Sequence, residues 1–141
     1  MLNKKHLNKL LLLALVAIMV VGVNIQAAFA GTWVGDYDVS WNTNDYSAKY
    51  STTFYINSGT CAVSGSQYAT TPLAEANVGY ALDKKGLWGW SQYTDYVTKD
   101  GNISINSLYF YSLPQSTQFR MKMVNNTNNA TRAYGDIYDQ N

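Results

Sequence analysis

Residue types that perform acid–base or nucleophilic chemistry are scarce in this sequence. The single histidine is His6 and the single cysteine is Cys61, and His6 lies in an N-terminal segment with the features of an export signal. The rest of the chain therefore cannot build a Ser-His-Asp or Cys-His arrangement, or a zinc site of Cys and His ligands. No Gly-rich phosphate loop precedes a helix pattern. We expect no catalytic residue, no metal site and no cofactor.

Paired acidic residues are the remaining candidates for catalysis, because glycoside cleavage uses two carboxyl groups that flank the bond. Glu75 is the only glutamate among the nine acidic residues. Asp36 and Asp38 share one face of a predicted strand, about 7 Å apart. Two acids on a solvated strand face are more typical of plain surface, so we expect no enzyme. A small hydrolase that uses this pair remains the alternative.

Calcium is a second use for acidic side chains. Asp36 with Asp38, or Asp100 with Asn102, offers oxygen ligands at alternate positions. The bidentate Glu that normally follows a calcium loop is absent after Asp100, and a tight turn explains the Asp-Gly-Asn sequence fully. The sequence favours a structural role at both places and leaves calcium binding open.

Aromatic residues are the most informative feature, with 12 Tyr and 4 Trp in the chain. One cluster lies in segment 88–96 and another in segment 109–111. Consecutive aromatic residues in a strand send rings to both faces, so one set must lie outside the core. Exposed Tyr and Trp rings suit stacking on sugar faces or contact with a protein. The alternative is ordinary packing, since strands favour these residues. The predicted binding residues are Trp88, Trp90, Tyr93, Tyr109 and Tyr111.

Residues 1–30 have the organisation of a secretory signal peptide. Lys4 and Lys5 precede an apolar run at 10–23, and Ala28-Phe29-Ala30 follows it. The run is short for a membrane-spanning helix, which needs about 20 apolar residues. We predict a signal peptide at 1–30 and a single secreted β-domain at 31–141, with no stable membrane span after processing. An uncleaved anchor and cleavage after Ala27 are the alternatives.

Charge and cysteine content restrict the partners of the processed chain. Three lysines fall in residues 1–30, which leaves seven cations against nine acids and a net charge of −2. Such a balance offers no field for nucleic acid or anionic lipid, so we expect no nucleic-acid partner. Cys61 is expected to be a buried hydrophobe in a strand. Dimerisation through a Cys61 disulfide is the alternative.

A hydrophobic period of two dominates the processed chain and predicts an all-β fold. We predict a small antiparallel β-sandwich of seven or eight strands, with a β-barrel as the alternative. The last strand is predicted at a sheet edge, and the only helix candidate is Pro72–Ala76. The predicted strands are 33–41, 48–56, 60–64, 76–82, 87–97, 103–111, 118–124 and 131–138.

Turn residues predict how these strands connect. Asn57-Ser58-Gly59 and Lys99-Asp100-Gly101-Asn102 are each typical of a tight hairpin. The second would place the aromatic clusters at 88–96 and 109–111 opposite one another. Asp83-Lys84-Lys85-Gly86 is predicted as a further connection. A slip in the alternation after Trp90 predicts a bulge near Gly89.

Two short stretches resemble a known group of proteins. The segment FRMKMVNNTNNATRAYGDIYDQN (119–141) is similar to the end of small Sec-exported Gram-positive proteins that accompany bacteriocin loci. Its matching positions are Arg120, Lys122, Asn125, Asn126, Gly135 and Tyr138. The stretch GTW (31–33) is similar to the mature start of lactococcin-type bacteriocins. The resemblance implies an extracellular role at a bacterial envelope or in competition between bacteria, without catalysis.

Taken together, these features favour a secreted, non-catalytic β-domain that binds a cell-envelope glycan or another protein through exposed aromatic residues. A bacteriocin-like toxin or accessory protein is the first alternative, and the small hydrolase is the second. The extracellular location follows from the predicted signal peptide at 1–30.

Overall fold

A computed structural model describes residues 31–140 of the chain, so the predicted signal peptide lies outside the described residues. The described chain forms two antiparallel sheets packed as a sandwich, which confirms the predicted all-β class. Sheet A has the strand order β1-β9-β3-β7, and sheet B has the order β2-β8-β4-β5, with β6 also paired to β4. The strands are β1 (Gly31–Trp41), β2 (Lys49–Ile56), β3 (Cys61–Ala69), β4 (Asn77–Gly86), β5 (Gly89–Gln92), β6 (Val97–Asp100), β7 (Ile103–Phe110), β8 (Thr117–Asn125) and β9 (Thr131–Gln140).

The described residues contain nine strands rather than seven or eight, because the predicted strand at 87–97 is divided. Its halves, β5 and β6, pair with the two ends of β4. At the break, the Leu82 carbonyl accepts hydrogen bonds from Tyr93 N and Thr94 N. The Leu82 amide donates to Thr94 Oγ1 at 2.8 Å. These bonds satisfy the Leu82 backbone and turn the chain away from the ladder.

The connection predicted at Asp83–Gly86 is also wrong. β4 continues through Gly86, where Gly86 pairs with Gly89, and the reversal occurs over Leu87 and Trp88. Gly89 begins β5 with φ 129, so the expected irregularity there is a turn rather than a bulge within one strand. A positive φ of this kind is readily adopted only by glycine.

Both predicted hairpins connect different sheets instead. Strands β2 and β6 belong to sheet B, whereas β3 and β7 belong to sheet A. Gly59 and Gly101 do have the expected positive φ, at 88 and 87. A tight turn reverses the chain locally but does not choose the pairing partner, which here is chosen by burial between the sheets.

Two further predictions are wrong. β9 lies in the middle of sheet A, between β1 and β3, rather than at an edge. Residues 72–76 form no helix, and Leu73 has φ 61. Within residues 31–140, no helix is long and apolar enough to cross a membrane.

The core lies between the sheets and is built from alternate residues of the paired strands. Tyr80 OH donates to Gln67 Oε1 at 3.0 Å, and Gln67 Nε2 donates to the carbonyls of Lys99 and Gly101 at 2.7 and 3.0 Å. This buried amide therefore ties the turn at 100–102 to the core. The largest fully buried apolar side chains are Trp41, Tyr80, Phe119, Ile56, Leu82, Met121, Met123 and Ile137.

Cys61 is a free, fully buried thiol, as predicted. Burial, reinforced by the nearby Asp139 carboxylate, raises the pKa of the Cys61 thiol well above its usual range. Because the thiolate is the reactive form, we expect native protein to react with iodoacetamide at least about a hundredfold more slowly than protein unfolded in urea. Mass spectrometry of the alkylated chain measures this ratio. Rapid native labelling, or a disulfide-linked dimer on a non-reducing gel, would contradict the burial.

Candidate functional site

The outer face of sheet A begins with an irregularity in β1. The pairing of β1 with β9 shifts between Trp33 and Gly35. Gly35 faces the core, where an added Cβ would contact Thr52 and Phe54. A one-residue shift moves every preceding side chain to the other face of a strand. Trp33 therefore lies on the outer face, whereas an unbroken period of two over the predicted strand 33–41 would place it on the same face as Tyr37 and Trp41.

An aromatic row crosses this outer face. Trp33 of β1 pairs with Tyr138 of β9, Tyr138 pairs with Ala62 of β3, and Ala62 pairs with Tyr109 of β7. Tyr111 stacks on Tyr109, with ring centroids 5.7 Å apart and planes 19° apart. Three inter-strand steps give the row a length of about 14 Å. We call Trp33, Tyr138, Tyr109 and Tyr111 the aromatic row.

The two ends of the aromatic row are exposed to solvent, whereas the residue at its middle is buried. Trp33 is 57% exposed and Tyr111 is 66% exposed, whereas Ala62 is fully buried beneath its neighbours. The Trp33 indole Nε1 donates a hydrogen bond to Asp136 Oδ1 at 3.1 Å, which fixes the orientation of the ring. The result is a partly exposed apolar strip.

Carboxylates lie beside the row. Asp36 and Asp136 are directly opposite each other on β1 and β9, an arrangement that is destabilising for like charges. Thr52 Oγ1 donates to Asp36 Oδ1 at 3.2 Å, and no salt bridge of the described residues involves either acid. These oxygens can therefore accept further hydrogen bonds from a ligand.

The remaining charges on this face are neutralised. Arg132 Nε and Nη2 donate to the two oxygens of Asp38 at 2.9 and 2.7 Å. Its hydrogen bond and its charge hold the pKa of Asp38 below the usual range. With three aspartates and one arginine, the outer face of sheet A has a net negative charge. The Asp36–Asp38 pair considered for catalysis is thus divided, since Asp38 is bound by Arg132.

The outer face of sheet B also contains aromatic rings, but cations of the chain cover them. The Arg120 guanidinium lies 3.7 Å from the Tyr50 ring centre and 4.7 Å from that of Trp90. Lys85 Nζ lies 5.4 Å from the same Trp90 ring. Arg120 also forms a salt bridge with Asp83 at 2.9 Å. These rings already have partners, so this face is less suited to stacking on a ligand.

The five predicted binding residues lie in four places. Tyr109 and Tyr111 belong to the aromatic row, and Trp90 is on the outer face of sheet B. Trp88 is fully exposed at the β4–β5 turn. Tyr93 lies at the edge of the core, 5.9 Å from the Phe119 ring. The predicted contact between the two clusters across a hairpin is wrong, because β6 and β7 do not pair.

Sequence reasoning missed Trp33 and Tyr138 as members of the site. The shift that turns Trp33 outward has no signal in the sequence, since Gly35 fits the regular alternation as well as it fits the bulge. Tyr138 was assigned to an edge strand, where a ring would have no neighbour on one side. Both errors concern strand pairing, which the period of two does not determine.

Asp100 and Asn102, the other candidate calcium ligands, form hydrogen bonds within the chain. Asn102 Oδ1 accepts hydrogen bonds from the amides of Ala69 and Ala76 at 2.7 and 3.2 Å. Asp100 Oδ1 accepts a hydrogen bond from Asn77 Nδ2. Across residues 31–140, no group of three or more His, Cys, Asp or Glu side chains could hold a metal ion.

The sequence matches no protein-family model, and no curated protein is similar enough to count as a relative. Among solved structures, the CBM22-1 xylan-binding domain from Paenibacillus barcinonensis Xyn10C is 9% identical, with a TM-score of 0.39. The alignment covers 80% of this chain and 88% of that domain. A likeness of this size transfers neither a fold nor an activity to this chain.

Proposed function

We propose that this chain is an extracellular, non-catalytic binding domain and that its aromatic row holds a glycan chain. The observation that carries the proposal is the register of Trp33, Tyr138 and Tyr109, which aligns their rings across sheet A. A pyranose ring has an apolar C–H face and polar hydroxyl edges. Aromatic faces match the first, and neighbouring carboxylates match the second through charge-assisted hydrogen bonds.

The charge of the site favours a neutral glycan. Asp36 and Asp136 lie beside the row, and in the described residues no cation neutralises them through a salt bridge. An acidic polysaccharide would meet like charge there, whereas sugar hydroxyls would donate to these oxygens. A length of about 14 Å accommodates several sugar units of an extended chain rather than a single monosaccharide.

The test is retention on insoluble cellulose, xylan, chitin and peptidoglycan. Covering half of one indole, roughly 60 Å² at about 25 cal/mol per Å², contributes about 1.5 kcal/mol, so Trp33→Ala should weaken binding about tenfold. Tyr46→Ala is the matched control, because Tyr46 is 56% exposed in a loop outside the row. Depletion isotherms measure both affinities. Equal retention of wild type and Trp33→Ala on every polymer would contradict the proposal.

Export is part of the same proposal and rests on the pattern of residues 1–30. We expect the chain secreted by a Gram-positive host to begin at Gly31, after the Ala28-Phe29-Ala30 triplet. Intact-mass measurement of protein from the culture medium determines its N-terminus. Protein that stays with the membrane fraction and keeps residues 1–30 would support the uncleaved anchor instead.

A further inference from the structure

The β4–β5 hairpin continues past the last pair that β4 forms with β8. The last residue of β4 that pairs with β8 is Lys84, opposite Phe119. After it, Lys85 pairs with Trp90 and Gly86 pairs with Gly89. The segment 85–90, which we call the tip ribbon, is therefore a two-stranded ribbon outside the β4–β8 ladder, while β8 continues beside β2 as far as Thr117. The tip ribbon reaches about 10 Å beyond Lys84, at about 3.3 Å per residue.

The turn of the tip ribbon is apolar. Leu87 is 98% exposed and Trp88 is 100% exposed. Tight turns normally carry Gly, Asn, Asp or Ser, which solvate well and suit the backbone. Two large apolar side chains placed together at an exposed turn are therefore a candidate contact surface.

Cations and aromatic rings surround the base of the tip ribbon. Lys84 Nζ lies 4.9 Å from the Tyr93 ring centre, and Lys85 Nζ lies 5.4 Å from that of Trp90. The nearby Asp83 is neutralised by Arg120 at 2.9 Å. Lys84 and Lys85 therefore make the tip ribbon itself locally positive, although the chain from residue 31 has a net charge of −2. The low net charge suggested no attraction to anionic lipid, but a net charge does not show that positive charges are concentrated near the tip ribbon.

We propose that the tip ribbon inserts into the interfacial region of a bilayer that contains anionic lipid. An apolar tip followed by a layer of lysine and aromatic side chains matches the order of environments at a membrane surface. The fully exposed side chains of Leu87 and Trp88 can enter the interface to the depth of about 5–10 Å that interfacial segments reach. Lys84 and Lys85 then lie at the level of the anionic headgroups. The aromatic row lies on the opposite sheet, so the two sites can be tested separately.

The test is partition into vesicles of equal parts phosphatidylcholine and phosphatidylglycerol, compared with pure phosphatidylcholine. Wild type and variants are expressed from the full chain and purified in the same form. Leu87→Ser/Trp88→Ser removes the apolar tip. Leu73→Ser/Tyr46→Ser is the matched control, since it removes an exposed leucine and an exposed aromatic residue elsewhere. Sedimentation with vesicles gives the partition coefficients.

We expect the tip variant to partition into mixed vesicles at least about tenfold more weakly than wild type, while the control variant matches wild type. Wild type should also prefer mixed over neutral vesicles by about tenfold, because two lysines lie near the headgroups. Circular dichroism of each variant should show an unchanged fold. Equal partition of wild type and tip variant would overturn the proposal, as would equal binding to both vesicle types. Leu87 and Trp88 would then be better explained as side chains that enter a pocket of another protein.

Discussion

Replacing Gly135 with alanine is expected to lower the free energy of unfolding by about 4 kcal/mol or more, because a Cβ there would make the shortest contact of any described glycine. A Cβ at Gly135 would lie 1.9 Å from the Ser64 carbonyl oxygen and 2.6 Å from the Gly65 Cα. Both contacts are backbone atoms of β3, so no side chain can rotate away. The pairing between β9 and β3 in the middle of sheet A would have to separate. Urea unfolding followed by tryptophan fluorescence measures the loss.

Gly86→Ala is the matched control for that experiment. The nearest atom to a Cβ at Gly86 is the Gly89 carbonyl oxygen at 3.6 Å, an ordinary contact. Its unfolding midpoint should stay close to that of wild type. Since a domain of this size has a stability of roughly 5–15 kcal/mol, Gly135→Ala should unfold at much lower urea or fail to fold. Similar midpoints for the two variants would mean that β3 and β9 are not packed this closely.

The second large effect is expected at Asp139. Replacing it with alanine should lower the free energy of unfolding by about 3–4 kcal/mol. Asp139 is 5% exposed on β9, and its carboxylate accepts hydrogen bonds from Asn57 N at 2.8 Å and Ser58 N at 3.1 Å. Ser58 Oγ also donates to it. These bonds hold the turn that carries the chain from sheet B to sheet A. Alanine leaves both amides without their acceptor, and thermal and urea unfolding should both report the loss.

Asp38→Ala is the matched control for Asp139→Ala, because Asp38 also accepts two hydrogen bonds, both from Arg132, but at an exposed position. Exposed ion pairs contribute little to stability. We therefore expect its unfolding midpoint to stay close to that of wild type. If the unfolding midpoint of Asp139→Ala stayed as close to that of wild type as the midpoint of Asp38→Ala, the turn at 57–59 would not depend on a buried carboxylate.

The sequence predicted most of the strands because alternation reports burial on one face. Phe119, Met121 and Met123 in β8, and Val78, Tyr80 and Leu82 in β4, all face the core as their period requires. Cys61 was correctly predicted as a buried strand residue. Burial is a property of one segment at a time, so a single sequence can reveal it.

The pairing of strands was not predictable in the same way. Gly59 and Gly101 have the turn geometry that their sequences suggest, yet each joins two sheets rather than two neighbours in one sheet. The short apolar stretch of β9 gave no sign that it is an inner strand of sheet A. Its position depends on the close approach of Gly65 and Gly135, which is visible only when β3 and β9 are paired.

Only part of the candidate site was predicted, because the set of rings that lie together also depends on strand pairing. Tyr109 and Tyr111 were identified because consecutive aromatic residues cannot all enter the core. Trp33 joins them only through the shift in β1. Trp88 lies in the turn before β5, Trp90 lies within β5, and Tyr93 follows the end of β5 at Gln92. Composition therefore identified the type of side chain, while strand pairing determined which rings lie together.

Glycan binding by the aromatic row can be tested directly with the four indole N–H signals of the chain in a nitrogen-15 spectrum. Single Trp→Phe variants assign these signals. The Trp33 indole donates to Asp136 inside the proposed site, whereas Trp41 donates to the Ser47 carbonyl in the core. On titration with soluble oligomers of cellulose, xylan and chitin, we predict that the Trp33 signal shifts with at least one oligomer. The signals of Trp41, Trp88 and Trp90 should stay in place. A Trp33 signal that does not move with any oligomer, or a shift confined to Trp88 or Trp90, would contradict glycan binding by the aromatic row.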